Sequence, residues 1–423
     1  MNSPTVTEEF LLDQRPDAMS RRGLLKRSGG VALAVAAGSM VSPTAAAAAP
    51  ASDRFVQIFL RGGMDALNAV APAGDPAYAA ARPGIAVPMG ALLPLDSTFG
   101  LHPSLGALAP LWQAGQLAFV HSVGNPQGDR SHFEAQDAVE CGTPVSSAVR
   151  TGWLARHLTA RGQTGAALRA VGIGETQNMT LAGQRNAVTL RSLNNFRVQV
   201  GDKDRVAYER AIRLMHSGFS HQIAGSGTAT LSALGEVRGL LAPEFATSPQ
   251  AAYPDSNFGK ALRNLAQCAK GPVGLEAGTV DIGGWDHHTG LGNHTDGQLA
   301  RKLTDLAAGL AAFRTDLGDL WATTTVVVVS EFGRRVEENG DGGVDHGHGG
   351  LMMVLGGGVR GGKVYGGWRG LATSVLDRGD LPVLTDWRNV YAEIVASRLG
   401  NGNALGAVFP GLKPSFLGLV NPR

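Results

Sequence analysis

The chain has 423 residues, 43% of them hydrophobic and 17% charged, enough apolar sequence to bury a large core and too little charge for a disordered chain. Its formal net charge is +2 with Lys and Arg scattered and no basic stripe, which argues against a nucleic-acid partner and leaves small-molecule or polymeric substrates. The two cysteines, Cys141 and Cys268, lack C-x-x-C spacing, which excludes a thiolate metal site and allows at most one disulfide.

Residues 1–49 read as an export signal. Ser20-Arg21-Arg22-Gly23-Leu24-Leu25-Lys26 is a twin-arginine pattern, Gly29 to Val41 is apolar, and Ala45 to Ala49 offers small-residue cleavage sites. The apolar run is about 13 residues, short of the roughly 20 that cross a bilayer as a helix, so no stable membrane span is expected after cleavage. The twin-arginine export machinery is the expected partner and the periplasm or exterior the expected location. Such signals carry proteins already folded, often with a cofactor loaded, which suits a metalloprotein.

In the mature chain, 50–423, Phe55 to Leu60 is a short apolar run stopped by Arg61-Gly62-Gly63-Met64-Asp65, a strand that ends in a glycine turn with a carboxylate just beyond it. A helical stretch around Leu105 to Trp112 precedes a second strand, Leu117 to Val123. This leads to Arg130-Ser131-His132-Phe133-Glu134, where Ser131 and Glu134 stand at capping-box spacing and predict a helix start. From about 143 to 272 the texture changes: helical periodicity over Asp204 to His216 and Thr228 to Leu241, broken by Gly, Ser and Pro, reads as a helical insertion. Leu303, Leu306, Leu310, Phe313, Leu317 and Leu320 then mark an amphipathic helix. Thr323 to Val329 is a β-branched run of the kind a parallel sheet buries on both faces, ending at Glu331. A short strand, Leu351 to Leu355, and a terminal helix, Trp387 to Leu399, complete a single α/β domain with a mostly parallel central sheet flanked by helices.

Five of the eleven histidines fall between Trp285 and Gly350, in Trp285-Asp286-His287-His288, in Asp345-His346-Gly347-His348, and at His294. Carboxylates and imidazoles are ligands for Zn, Mn or Fe, and glycines let such loops approach closely. If the first and the valine-rich strands lie side by side, Asp65 and Glu331 emerge at the edge where open α/β sheets bind ligands. The loops carrying Asp286, His288, His346 and His348 can converge there on one or two divalent ions (Zn, Mn, Ca or Fe). A pair of ions about 4 Å apart would stabilise the entering and leaving oxygens of a displacement at phosphorus. Ser131 at a helix start, a candidate nucleophile, and Arg334 complete the candidate catalytic set. Each also has a plainer reading: an N-cap for Ser131, a turn for Asp65, and an ion pair between Glu331 and Arg334. The isolated His102, His121, His157, His216 and His221 read as structural, and His132 and His294 as intermediate.

Five motifs in order (Leu60 to Asn68, Arg130 to Asp137, Gly283 to His288, Ser330 to Arg334 and Asp345 to Gly349) make the chain resemble the bacterial exported family catalogued as domain of unknown function 1501, over nearly all its mature length. That family in turn resembles the alkaline phosphatase and sulfatase superfamily. The resemblance implies a two-metal site on a parallel sheet, Ser131 as nucleophile, Asp65, Asp286, His288 and Glu331 as ligands, and His346 or His348 as the last imidazole. Glu331-Phe332 stands where that superfamily commonly has an Asp-His pair, and Cys141 lacks the formylglycine signature, which excludes a formylglycine sulfatase mechanism. The expected activity is hydrolysis of phosphate or sulfate esters on an anionic small-molecule or polymeric substrate. The alternatives are a secreted binding or assembly protein that keeps the fold, and an iron-dependent oxidoreductase using the same ligands.

Overall fold

The computed structural model describes residues 53–423 apart from 129, 146, 163–165, 185–186, 197–201 and 218–220, so the expected export signal lies outside the described residues. The strands of the main sheet are β1 (Arg54–Leu60), β2 (Leu117–Gly124), β3 (Ala170–Ile173), β4 (Ala187–Leu190), β5 (Ala277–Ile282), β6 (Thr324–Val329), β7 (Gly350–Gly356), β8 (Lys363–Tyr365) and β9 (Thr385–Asp386). They form one nine-stranded sheet in the order β8-β2-β7-β6-β1-β5-β3-β4, with β9 also on β2. All pairings are parallel except those of β7, which runs antiparallel to both β6 and β2. The structure has the α/β class and mostly parallel sheet that the sequence predicts.

Alternation along β1 divides the core into two layers. Val56, Ile58 and Leu60 face one cluster, with Val326, Val328 and Val280 beside them and Leu262, Leu265, Leu303, Leu306, Leu310 and Phe313 above. These last come from α5 (Asn257–Lys270) and α6 (Gln298–Leu317), whose three- and four-residue apolar steps build one buried stripe. Phe55 and Phe59 face the opposite cluster with Val327, Val329, Trp153, Leu158, Val390, Tyr391 and Ile394. Here the covering helices are α2 (Trp153–Ala160) and α7 (Trp387–Ser397). Because β6 is buried on both faces, every residue of Thr324–Val329 can be β-branched without exposing an apolar side chain.

The segment 143–272 contains the helices α3 (Asp202–Ser217) and α4 (His221–Leu240), where the sequence shows helical periodicity. It also does more than the sequence predicts. It adds β3 and β4 to the sheet and contributes α5 to the core; β3 pairs in parallel with β5 and β4 in parallel with β3, and four-residue strands of this kind need no long apolar run. Cys141 and Cys268 are both buried and free, so the one possible disulfide is not formed. No described helix is long and apolar enough to cross a membrane.

Candidate metal centre

The C-terminal ends of β1, β2, β5 and β6 share one edge of the sheet. The reversed direction of β7 brings its entry to that same edge, because an antiparallel neighbour needs no crossover back to the far end. The turn after β1 makes the close packing possible. Gly62 has φ 122, and a Cβ there would stand 2.6 Å from the backbone nitrogen of Asp286, so only glycine lets the β1 and β5 loops touch.

Three imidazoles meet at this edge. His132, the first residue of helix α1 (His132–Cys141), places its Nε2 3.0 Å from His346 Nε2, and His288 Nε2 lies 2.9 Å from the same atom. Asp286 joins them, with Oδ1 3.0 Å from His288 Nε2 and 3.2 Å from His346 Nε2, and Oδ2 3.4 Å from His132 Nε2. Ligating atoms of His132, Asp286 and His346 all lie within 4.8 Å of one another.

The outer nitrogens fix the tautomers. His346 Nδ1 lies 2.8 Å from the carbonyl of Arg130, which can only accept, so the proton sits on Nδ1 and Nε2 presents a lone pair. His132 Nδ1 donates to Glu331 Oε1 at 2.7 Å, and His288 Nδ1 to Asp345 Oδ1 at 2.8 Å. Burial alone would push the Glu331 carboxyl up, but bonds from Gln136, the Glu331 backbone and His132 outweigh it and hold the group below its ordinary value. The bond from His288 lowers the Asp345 carboxyl in the same way. Burial lowers the His346 imidazole, which favours its neutral, ligating form. With each Nδ1 turned to an acceptor, the Nε2 atoms are the ones left to face Asp286 and one another, the arrangement in which a cation could be ligated.

The donor set fits a divalent ion. Metal–nitrogen bonds of 2.0–2.1 Å in tetrahedral geometry separate neighbouring ligand atoms by about 3.3 Å, close to the 3.0–3.4 Å separations among His132, Asp286 and His346, while His288 stands beside His346 and Asp286; each histidine has the second partner that ligating imidazoles require. Asp286 is pushed up by burial and brought down to about 2 chiefly by the bond and charge of Arg334, so it is an anion at neutral pH. Three nitrogens and one oxygen suit Zn, Mn or Fe better than Ca, which prefers a larger oxygen shell.

Of the residues singled out in the sequence, the structure brings Asp286, His288 and His346 together and sets Glu331 one bond behind them. Arg334 is wholly buried. Nη2 bonds Asp286 Oδ1 at 2.5 Å, and the rest of the guanidinium holds the carbonyls of Gly63 at 2.6 Å, Val344 at 2.9 Å and Gly62. It pins the carboxylate and the β1 turn, with no Nη group left for a substrate. Asp65 turns elsewhere: its Oδ2 pairs with Arg82 Nη1 at 2.6 Å, both side chains fully buried. His348 directs Nδ1 to Asp377 Oδ2 at 2.9 Å. Ser131 is the N-cap of α1 in extended conformation, and its side chain makes no capping bond. His132, read as intermediate, is a full member of the cluster. Its signal in the sequence is its place directly after Ser131, in the first turn of a helix that begins at the sheet edge. Asp345 and Gln136, whose Nε2 donates to Glu331 Oε1 at 2.8 Å, carried no separate signal.

The fold is α/β, and at the C-terminal edge of its sheet His132, His288, His346 and Asp286 cluster as a candidate metal site. The family model described as Protein of unknown function (DUF1501) matches residues 52–395, and the chain belongs to that family. No curated protein matches it. Among solved structures it is similar to the C-terminal periplasmic domain of EcEptC from Escherichia coli in complex with Zn, at 12% identity over 86% of this chain and 88% of that one, with a TM-score of 0.35.

Proposed function

We propose that the protein is an exported, metal-dependent hydrolase of phosphate or sulfate esters, with one divalent ion held by His132, His288, His346 and Asp286. The observation that carries this reading is the convergence of three Nε2 atoms and a carboxylate, each imidazole being held through its other nitrogen by an acceptor. A bound ion would supply Lewis acidity toward an oxygen of the substrate's anionic group. The chain supplies the rest. Glu331, Asp345 and the Arg130 carbonyl keep the rings in the ligating tautomer, and Arg334 keeps Asp286 charged and fixed. Ser131, next to His132, is our candidate nucleophile, and the positive end of the α1 dipole favours an anionic group beside it. Asp65 and His348, which the resemblance makes ligands, we assign to support: the first to the buried pair with Arg82, the second to Asp377. Export by the twin-arginine route rests on Ser20 to Lys26 and the short apolar run that follows.

Metal analysis of the full chain, followed by assay against a panel of phosphate and sulfate esters, tests the proposal. The expected result is one equivalent of metal, ester turnover that chelation abolishes, and loss of turnover in Ser131→Ala with metal retained. Stoichiometric metal without turnover on any ester would favour the binding or assembly alternative. Absence of metal from protein loaded with Zn, Mn or Fe would end the metalloprotein reading.

A further inference from the structure

We infer that Asp380 is a positioning residue for the metal centre, acting through Arg130 from a turn far along the chain; this rests on the reading of the histidine cluster as a metal site. The Asp380 carboxylate is wholly buried, an expensive place for a charge unless it holds something in position. Its Oδ2 accepts a bond from Arg130 Nη2, with Arg335 Nη1 3.7 Å from Oδ1 and His348 Nδ1 3.6 Å from Oδ2.

Arg130 is the hinge of the geometry. Its side chain is tied down by Asp380, and its own carbonyl takes the Nδ1 proton of His346 at 2.8 Å. Two residues on, His132 gives the cluster its second imidazole. A single anchor therefore sets the support of one ligand and the tether of another, in a segment that comes off β2 through Gly128, at φ 61. Among the described residues, Asp380 is the bonded partner of the Arg130 side chain.

The turn that presents Asp380 is built for the purpose. Asp377 and Asp380 exchange backbone bonds of 2.9 and 3.0 Å, and between them Arg378 (φ 55) and Gly379 (φ 87) both sit in the left-handed region, the two-residue hairpin geometry of a type I′ turn. Both acids of this turn reach the metal loop. Asp380 takes Arg130, and Asp377 takes His348 Nδ1 at 2.9 Å, two residues after His346. A purely structural ion pair could stand anywhere on the loop; this one is a single bond away from a ligand.

Cobalt(II) titration of the chelator-treated full chain tests the inference, because the visible d–d bands report ligand geometry as well as affinity. Four proteins are compared: wild type, Asp380→Asn, Arg130→Met and the double variant. Asp75→Ala, which removes the N-cap bond to Ala77 N, serves as a control for general loss of stability. Each single variant is expected to weaken cobalt binding about 10- to 100-fold, as loss of an outer support does, and to shift the d–d envelope, with the double variant no worse than the weaker single. If Asp380→Asn does not fold, Arg130→Met and the double variant, which buries neither charge, give the same readout. Wild-type affinity and spectrum in Asp380→Asn, or additive losses in the double, would overturn the inference and leave the metal centre standing. Failure of the wild type to bind cobalt would overturn both.

Discussion

Replacing Glu331 by Gln separates the electrostatic support of the centre from its shape. Glu331 is fully buried. Its Oε1 accepts bonds from Gly62 N at 2.8 Å, Gln136 Nε2 at 2.8 Å and His132 Nδ1 at 2.7 Å, and its Oε2 one from the Ser330 hydroxyl at 3.0 Å. A glutamine carbonyl at the Oε1 position keeps the first three bonds. Its amide then donates to Ser330 Oγ, whose own proton turns to the Leu60 carbonyl 2.6 Å away. Each retained bond falls from the charged to the neutral class, a loss of about 1 kcal/mol, while removal of a buried charge offsets part of the sum, so stability should change by about 2 kcal/mol or less. Metal affinity should fall further in proportion. The His132 ring loses its anionic partner, and such outer-shell changes cost about 10- to 100-fold, or roughly 1.4 to 2.8 kcal/mol. Glu331→Ala is the contrast: it strands three donors at about 1–3 kcal/mol each and should destabilise the fold by at least about 3 kcal/mol. Chemical denaturation in chelator gives the first quantity and competition titration with a zinc indicator the second. If Glu331→Gln binds metal with unchanged affinity, the carboxylate does not tune His132 and the derivation of its role is wrong.

Three further outcomes follow from the same structure. Asp65→Asn strips the anion from a fully buried ion pair with Arg82 and should cost about 3–5 kcal/mol in denaturant unfolding while leaving metal stoichiometry unchanged; loss of metal with stability intact would make Asp65 a ligand after all. Gly62→Ala puts a Cβ 2.6 Å from the Asp286 nitrogen at φ 122, so metal affinity and thermal stability should both fall, and a variant with neither effect would refute the close-approach account. Burial, with Arg161 and Arg169 nearby, lowers the His157 imidazole to about 3, against an ordinary 6.5. Between those values the unfolded chain binds a proton that the folded one does not, so stability falls as pH drops below about 6.5 and the loss levels off near 3. His157→Gln should flatten that acid limb in pH-dependent denaturation, and an unchanged limb would show that His157 is not the group responsible.

Much of the frame was legible because its signals are local. The β-branched run of β6, the apolar β1 stopped by two glycines, and the leucine steps of α6 each declare one element, and β-branched burial on both faces implies a parallel sheet. Asp286, His288 and His346 were legible for the same reason, as short motifs beside strand ends. What stayed hidden depends on pairings across long separations. β3 and β4 are four residues each, with Gly172 in one, and exist because β5 offers β3 an edge and β3 in turn offers one to β4. Asp65 looks like a strand-end ligand until Arg82, 17 residues on, takes its carboxylate within the core. His348 resembles His346 in sequence, yet the Asp377 turn draws its ring away. His132 reads only as intermediate in the sequence, because the capping pattern around it points to Ser131. His132 reaches the cluster from the segment after β2, a different strand end from that of Glu331, its partner.

X-ray absorption at the metal edge of the zinc-loaded full chain tests the central claim most directly. The account predicts about three imidazole nitrogens and one oxygen at roughly 2.0–2.1 Å, with the imidazole scattering reduced in His346→Ala. A spectrum with oxygen ligands alone, or one that His346→Ala leaves unchanged, would contradict it.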